Sequence, residues 1–392
     1  MNLLRKLRQR AHDLLPIAGF HFDHPIVLLQ SDDWGRVGVR DCEGLEQLQS
    51  AGVHLGDRPY DLYTLETAED VVALTTLLKK HRDSTGNSPC LEMNFVPLNL
   101  DFTRMKADDF RVIHLRPVSD GLPEGWKRPS LIDSYRQGIA DGVLSTALHG
   151  GTHFCRQAVE RALKQNDENA KLLRTLWRAG TPYIHWRMPW IGYEYWDPGQ
   201  SDDDQFLPEA LQRELIGQTI GAFAKLFSSL PHSACAPGYR ANDDTHRAWA
   251  QHGIRVAQNG PGAAMPPHFD RHELLHLYRT VEFEPATAAD FSVDLCVRRA
   301  ETCFQQGLPA VVSIHSINFH STLRDFRSQT LGFLDEFLIA LETRHSGLLY
   351  LRDEDIFELV TKGSCAGKSG TVQVGVMRKN FRKGNLAPRG EA

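Results

Sequence analysis

The chain has 392 residues, 41% of them hydrophobic and 24% charged, a globular profile long enough to bury a large core without disulfide or metal staples. Lysines and arginines number 44 against 49 acids, a net charge of −5, so no global basic field points to nucleic acid. Seven scattered cysteines with no Cys-x-x-Cys pair argue against a disulfide framework, and the apolar runs are too short for a transmembrane helix.

The first residues, MNLLRKLRQRAHDLL, carry charges throughout and lack the apolar centre of a secretory signal, so a cytoplasmic protein is expected. Leu3, Leu4, Leu7, Leu14 and Leu15 can share one helical face. That predicts a helix within residues 1–24 packed on the domain, with peripheral membrane contact as the other use of such a face. Residues 25–361 then alternate short apolar runs with helical stretches. Strand-like runs are Ile26–Gln30, Leu91–Phe95, Val143–Leu148, Ile254–Gln258, Ala310–His315 and Leu348–Leu351, with fainter patterns at Pro182–His185 and Leu277–Phe283. Helical stretches are Asp70–His81, Cys155–Lys164, Glu168–Arg178, Pro208–Leu230, Asp244–His252, Ala288–Gln306 and Arg324–His345. Pro208 suits a first helical turn, and Gly253, Gly307 and Gly347 stand where helices should stop. The alternation predicts one α/β domain, a parallel sheet or barrel covered by helices. Tyr183, Trp186, Trp190, Tyr193, Tyr195 and Trp196, followed by Asp202–Asp204, read as an insertion or lid near 183–206. From Lys362 to Ala392 there are seven basic residues and one acid, which reads as a solvated, partly disordered tail.

Active sites of α/β sheets and barrels gather at the carboxyl ends of the strands. Here IVLLQ is followed by Ser31-Asp32-Asp33-Trp34-Gly35, VLSTAL by His149-Gly150-Gly151-Thr152-His153, and PAVVSI by His315. Two imidazoles four apart plus a carboxylate from elsewhere make a three-ligand face with open positions. Such a face suits a divalent metal that also holds water or substrate. The spacing alone is weak evidence, since roughly 0.8 His-x-x-x-His pairs are expected by chance in such a composition. The chain holds three: His149/His153, His268/His272 and His272/His276. The last lies in His272-Glu273-Leu274-Leu275-His276, the HExxH signature of zinc proteases. That chemistry needs both histidines on one helix. Charged Asp270 and Arg271 precede it, however, and Leu277–Phe283 alternates like a strand, leaving room for only about two helical turns. Protease chemistry through His272, Glu273 and His276 is the rival reading.

The first set also falls in a recognisable order. An Asp-Asp pair after the first strand, His-x-x-x-His after a later one, then Pro237-Gly238, then a C-terminal strand ending in His315 resembles the NodB-homology polysaccharide deacetylases, carbohydrate esterase family four, over Asp32 to Ser316. The resemblance implies an incomplete β/α barrel, seven-stranded or otherwise distorted. It implies Asp32 as general base, His315 as general acid, and Asp33, His149 and His153 as ligands of one divalent metal. Zinc is the first expectation, with iron, manganese or cobalt also suited to that donor set. Amide hydrolysis needs an activated water, a stabilised oxyanion and a protonated leaving amine, and such a site can supply all three. The implied substrate is an N- or O-acetylated sugar or glycan, and in the cytoplasm a glycan precursor. A non-catalytic carbohydrate-binding relative of the same fold is the second reading.

Two departures stand out. The family usually has an arginine two residues before the proline of its third motif, whereas Ala234-Cys235-Ala236-Pro237-Gly238-Tyr239-Arg240 has Cys235 there. Arg240, reaching in from the other side, is one candidate substitute; the alternative is a base without that partner. Trp34 stands where the family usually has glycine. Glu284, in Phe283-Glu284-Pro285, is the candidate acidic partner of His315. Trp34, Asn94, Trp190, Pro237, Gly238, Tyr239, Arg240, Glu284 and Asn318 complete the expected substrate pocket, and His320 is a further candidate for its lining.

Overall fold

The computed structural model describes residues 17–201, 205–262, 264–367 and 370–381. Its strands are, in chain order, β1 (Ile17–Phe22), β2 (Ile26–Trp34), β3 (Leu91–Phe95), β4 (Leu98–Leu100), β5 (Leu115–Pro117), β6 (Leu144–Leu148), β7 (Ser233–Cys235), β8 (Val256–Asn259), β9 (His268–Phe269), β10 (Leu275–Tyr278), β11 (Val281–Glu282), β12 (Ala310–His315), β13 (Leu349–Tyr350), β14 (Ser364–Gly367), β15 (Gly370–Gln373) and β16 (Val376–Phe381). Ten of them make one sheet in the order β11-β12-β2-β3-β6-β7-β8-β10-β9, with β13 also paired to β2. Every pairing in it is parallel except β9 with β10. β2 is buried along its whole length, its apolar start Ile26–Leu29 and its polar end Gln30–Asp33 alike, as a strand covered on both faces is.

The fold is α/β, as the alternation predicts. Seven of the sheet's strands, β2, β3, β6, β7, β8, β10 and β12, are three residues or longer. Among the described residues no pairing closes the sheet. Its two parallel ends, β10 and β11, are nevertheless joined by only Arg279 and Thr280. The sheet therefore curls back on itself as an incomplete barrel. Helices Ala68–Leu78, Leu131–Ala140, Glu209–Phe227, Val293–Gln305 and Arg327–Arg344 bury Leu74, Tyr135, Phe223, Val297 and Phe337 with Leu29, Leu91, Leu144 and Val312 of the sheet in the main core. No helix among the described residues is long and apolar enough to cross a membrane.

The ends and the shortest strands differ from expectation. The helix expected within 1–24 lies largely outside the described residues, and its last part is β1, a strand. Of the expected partly disordered tail, the described residues through Phe381 hold three strands: β14 and β15 pair antiparallel, and β16 runs antiparallel to β1, from Ile17 against Phe381 to Phe22 against Val376. Phe20 and Phe22 anchor that ribbon in a core cluster, while exposed Arg378 and Lys379 keep its outer side charged, which discourages further pairing. Residues 382–392 and Asp202–Asp204 lie outside the described residues. β7 has only three residues and no apolar run to announce it. Pro182–His185 is no strand and leads into a single turn, His185–Arg187.

Candidate active site

The sheet register places the central acid pair. β12 lies beside β2 with His315 opposite Asp32. On the other side, the β2–β3 register slips between Ser31 and Trp34, a bulge of the kind that re-aims side chains at a strand end. Asp33 sits there with φ of 75°, a left-handed conformation that aspartate tolerates better than most residues. It thereby turns toward His149 and His153, which follow β6. His153 and Tyr239 also have positive φ, 63° and 56°, so three chemically important residues stand on backbone that costs energy to hold.

Asp32 is 1% exposed and held from several sides. Arg279 grips it with both guanidinium nitrogens, Nη1 to Oδ2 and Nη2 to Oδ1, each at 2.6 Å. Asn94 donates to Oδ1 at 2.6 Å and the Tyr239 hydroxyl to Oδ2 at 3.2 Å. Burial opposes ionisation, but Arg279 overcomes it and holds the carboxyl well below the ordinary range. Arg279 is thus the guanidinium beside Asp32, with Cys235 Sγ 3.8 Å from its Nη2. This corrects the expectation for Arg240, whose guanidinium lies instead over the Trp196 ring, 5.0 Å from its centroid. A visible signal existed: Arg279 is a charge inside the strand-like run Leu277–Phe283, and such a charge at a strand end needs a partner.

Asp33 has its own guanidinium. Arg36 Nη2 donates to Asp33 Oδ2 at 2.9 Å, Nη1 to the Tyr183 hydroxyl at 3.1 Å, and the group lies 3.9 Å above the Tyr63 ring. Burial again opposes charge on Asp33, and Arg36 again holds it low. Oδ1 is left buried without a hydrogen bond. His153 Nε2 lies 3.1 Å from that oxygen and His149 Nε2 3.7 Å. Two atoms each about 2.1 Å from a tetrahedral ion stand ~3.4 Å apart, and these distances bracket that value. All three ligand atoms fall within 4.8 Å of one another. His149 Nδ1–H donates to the Cys235 carbonyl at 3.0 Å, which leaves Nε2 as the free lone pair. Burial pushes both imidazoles below the ordinary histidine value, toward the neutral form a metal requires. An orphaned carboxylate oxygen facing two neutral imidazoles fits a divalent cation.

His315 completes the ring. Its Nδ1–H donates to Glu284 Oε1 at 2.7 Å and its Nε2 stands 3.8 Å from Asp32 Oδ2. Asn318 donates to Glu284 Oε2 at 2.7 Å. Burial works against the imidazolium, but Glu284 outweighs it, and the His315 pKa is pushed up to about 9. Asp32, Asp33, His149, His153 and His315 share one cavity of about 310 Å³, walled by Arg36, Tyr60, Tyr63, Tyr183, Ile184, His185, Trp186, Tyr193, Gly238 and Tyr239.

Several expected pocket residues are elsewhere. Trp34 is fully buried, its Nε1–H bonded to Ser31 and its ring against Tyr135 and Phe319. Asn94, bonded to Asp32 and Gln258, and Asn318, bonded to Glu284, orient acids rather than face the cavity. Glu284 likewise acts on His315. Trp190 is half-buried against a core cluster and does not line the cavity. Pro237 does not line the cavity either, but meets Gly150, where a Cβ would fall 2.0 Å from Glu194 and 2.9 Å from Pro237. The crowding around Gly150-Gly151 is therefore protein against protein. His320 is buried against the Tyr63 ring. Of the aromatic stretch, Tyr183, Trp186 and Tyr193 face the cavity, and Tyr195 is buried in the main core.

The HExxH stretch has no helix. Asp270 to Leu274 form a tight turn with Glu273 at φ of 62°, and His276 lies in β10. His272 pairs with Asp243 and His276 with Asp270, so the two histidines take different partners and no zinc-protease face exists. Glu273→Gln is expected to remove no peptidase activity, checked by peptide-cleavage assays on the parent and the variant.

No family model and no curated protein sequence matches the chain. Among solved structures it is similar to a probable polysaccharide deacetylase from Pseudomonas aeruginosa PAO1, at 14% identity and a TM-score of 0.44, covering 85% of this chain and 90% of that one. It is similar also to a family 4 carbohydrate esterase from Streptomyces lividans, at 12% identity and a TM-score of 0.34, covering 83% and 90%. A third is a carbohydrate esterase family 4 pseudoenzyme from Bacillus anthracis, at 10% identity and a TM-score of 0.35, covering 84% and 64%. At such identities the likeness concerns chain path and says nothing of which side chains act.

Proposed function

We propose that this chain is a divergent NodB-homology polysaccharide deacetylase, a metal-dependent hydrolase that removes acetyl groups from an N- or O-acetylated sugar or glycan. One observation carries the reading: an Asp/His/His donor set with an orphaned oxygen lies between an ionised, arginine-held Asp32 and a Glu284-bonded His315, all in one cavity. When bound by Asp33, His149 and His153, a divalent cation would acidify a water and balance charge developing on the acetyl oxygen. Asp32 is the base, ionised across the neutral range and open to the cavity beside those ligands. Asn94 and Arg279 fix the direction of its carboxylate. His315 is the acid, charged at neutral pH and placed to protonate the leaving nitrogen or oxygen. Tyr183, Trp186 and Tyr193 give the cavity an aromatic wall suited to the apolar side of a sugar ring.

The test is acetate release from N- and O-acetylated sugar oligomers by zinc-loaded protein, with bound metal counted by elemental analysis. Turnover with about one metal ion in this site is expected. Metal and oligomer binding without acetate would leave the non-catalytic carbohydrate-binding reading, and failure to bind metal here would overturn both. A pH profile adds a second check. Activity that needs protonated His315 should persist to about pH 9 and fall above it. Glu284→Gln removes the largest influence that raises His315, so the alkaline limb of kcat/KM should move to lower pH, toward the ordinary histidine range near 6.5.

A further inference from the structure

We propose that His246, Asp270 and His276 form a second divalent-cation site, outside the cavity, suited to zinc. The three ligands come from three elements. His246 stands in the first turn of helix Asp243–Gln251, whose start is set by a reciprocal cap between Asn242 and Thr245. Asp270 lies in the turn joining β9 to β10. His276 is in β10, where Leu275 and Leu277 enter a core cluster and the alternation sends His276 to the opposite face.

Asp270 is oriented as a ligand would be. Its Oδ1 accepts the backbone N–H groups of His272 at 2.8 Å and Leu274 at 3.0 Å. Its Oδ2 then faces His276 Nε2 at 3.2 Å and His246 Nδ1 at 3.7 Å. The Asp33 centre shows 3.1 and 3.7 Å for the same pair of separations, and both bracket the ~3.4 Å expected around a tetrahedral ion. All three ligand atoms lie within 4.8 Å of one another. His276 Nδ1 faces the Asn259 amide, Nδ2 at 3.2 Å and Oδ1 at 3.4 Å; a metal on Nε2 would leave the ring proton on Nδ1, with Oδ1 as its acceptor. Neighbouring Arg271 and His272 are both engaged by Asp243.

The side chains of His246 and Asp270 are each 18% exposed and that of His276 5%, so the site opens on one side, where water can complete the coordination. None of the three lines the cavity. They do fasten the two elements that carry partners of Asp32: Tyr239 shortly precedes the helix bearing His246, and β10 runs directly into Arg279. The metal would be a clasp behind the site rather than a participant in it. The HExxH pattern thus contributes only its second histidine, to a site its spacing does not describe.

The test uses the full chain, stripped with a chelator, reloaded with Zn(II), washed and counted by elemental analysis. Two zinc ions per chain are expected, falling to one in His246→Ala, one in Asp33→Asn and none in the double variant. The Zn(II)-dependent rise in Tm should be smaller in each single variant than in the parent and absent in the double variant. Asp270→Asn, which keeps the turn's shape, should repeat the His246→Ala result and replaces it if that variant does not fold. One zinc in the parent, lost in His246→Ala and kept in Asp33→Asn, would support this site while sinking the proposed deacetylase centre. Unchanged zinc in both His246→Ala and Asp270→Asn would overturn the inference.

Discussion

Asp33→Asn is expected to release its cation and lose acetate release to background, while Asp32→Asn keeps the cation and loses about 10²- to 10⁴-fold in kcat/KM. The two neighbours part because the structure gives them different company. Asp33 Oδ1 has no hydrogen bond and faces two imidazoles, so it is the oxygen a cation needs. Both oxygens of Asp32 are engaged by donors, which fixes a charged carboxylate in place without making it a ligand. The asparagine variants preserve volume in a buried setting, so lost activity would not report a cavity. Elemental analysis and kinetics on the same preparations decide the matter. Equal loss of metal in both variants would place both aspartates in the metal shell, and full activity in Asp33→Asn would remove the metal from the reaction.

Arg279→Met should be the most destabilising single change near the site, at about 3–5 kcal/mol, because it strands a buried charge. In the folded parent, burial disfavours ionised Asp32 and Arg279 overcomes this, so its pKa lies below the unfolded value. A carboxyl lowered in that way stabilises the fold above the unfolded pKa near 3.9 and loses the contribution as pH falls through the folded pKa. Without Arg279 the largest opposing influence is gone and burial raises the carboxyl instead. The Arg279→Met variant should then lose stability as pH rises through the raised pKa, opposite to the parent, and the acid limb of its kcat/KM profile should move to higher pH. Arg279→Lys restores charge but not the two-pronged grip, so it should recover stability more than turnover. Thermal melts from pH 5 to 9 check the sign; parent-like stability of Arg279→Met at pH 8 would show that Asp32 does not depend on Arg279.

Much of this was legible in the residues. Runs such as Leu91–Phe95 and Ala310–His315 match β3 and β12 residue for residue, because strands covered on both faces are rich in apolar residues over a short run. Helix Glu168–Arg178 was equally plain, since one face must meet the core every third or fourth residue. Strand-end chemistry pointed to Asp32, Asp33, His149, His153 and His315 because polar groups following buried strands emerge together at one end of a parallel sheet. Short or polar elements escaped: β7 is three residues, and β16 is an exposed charged strand visible only through its pairing with β1.

Composition, periodicity and motif order by themselves determined the α/β class, many of the elements and the five side chains at the centre of the cavity. They did so because local backbone preference and one-sided burial are written in neighbouring residues. Which guanidinium holds Asp32, which aromatics face the cavity, and that His276 meets His246 and Asp270 instead of His272 were decided by tertiary structure. Arg279 and Asp32 are far apart along the chain, and only the curl of the sheet brings β10 back beside β2's end. A buried charge takes whatever partner the folded chain delivers to it, and no spacing rule records that delivery.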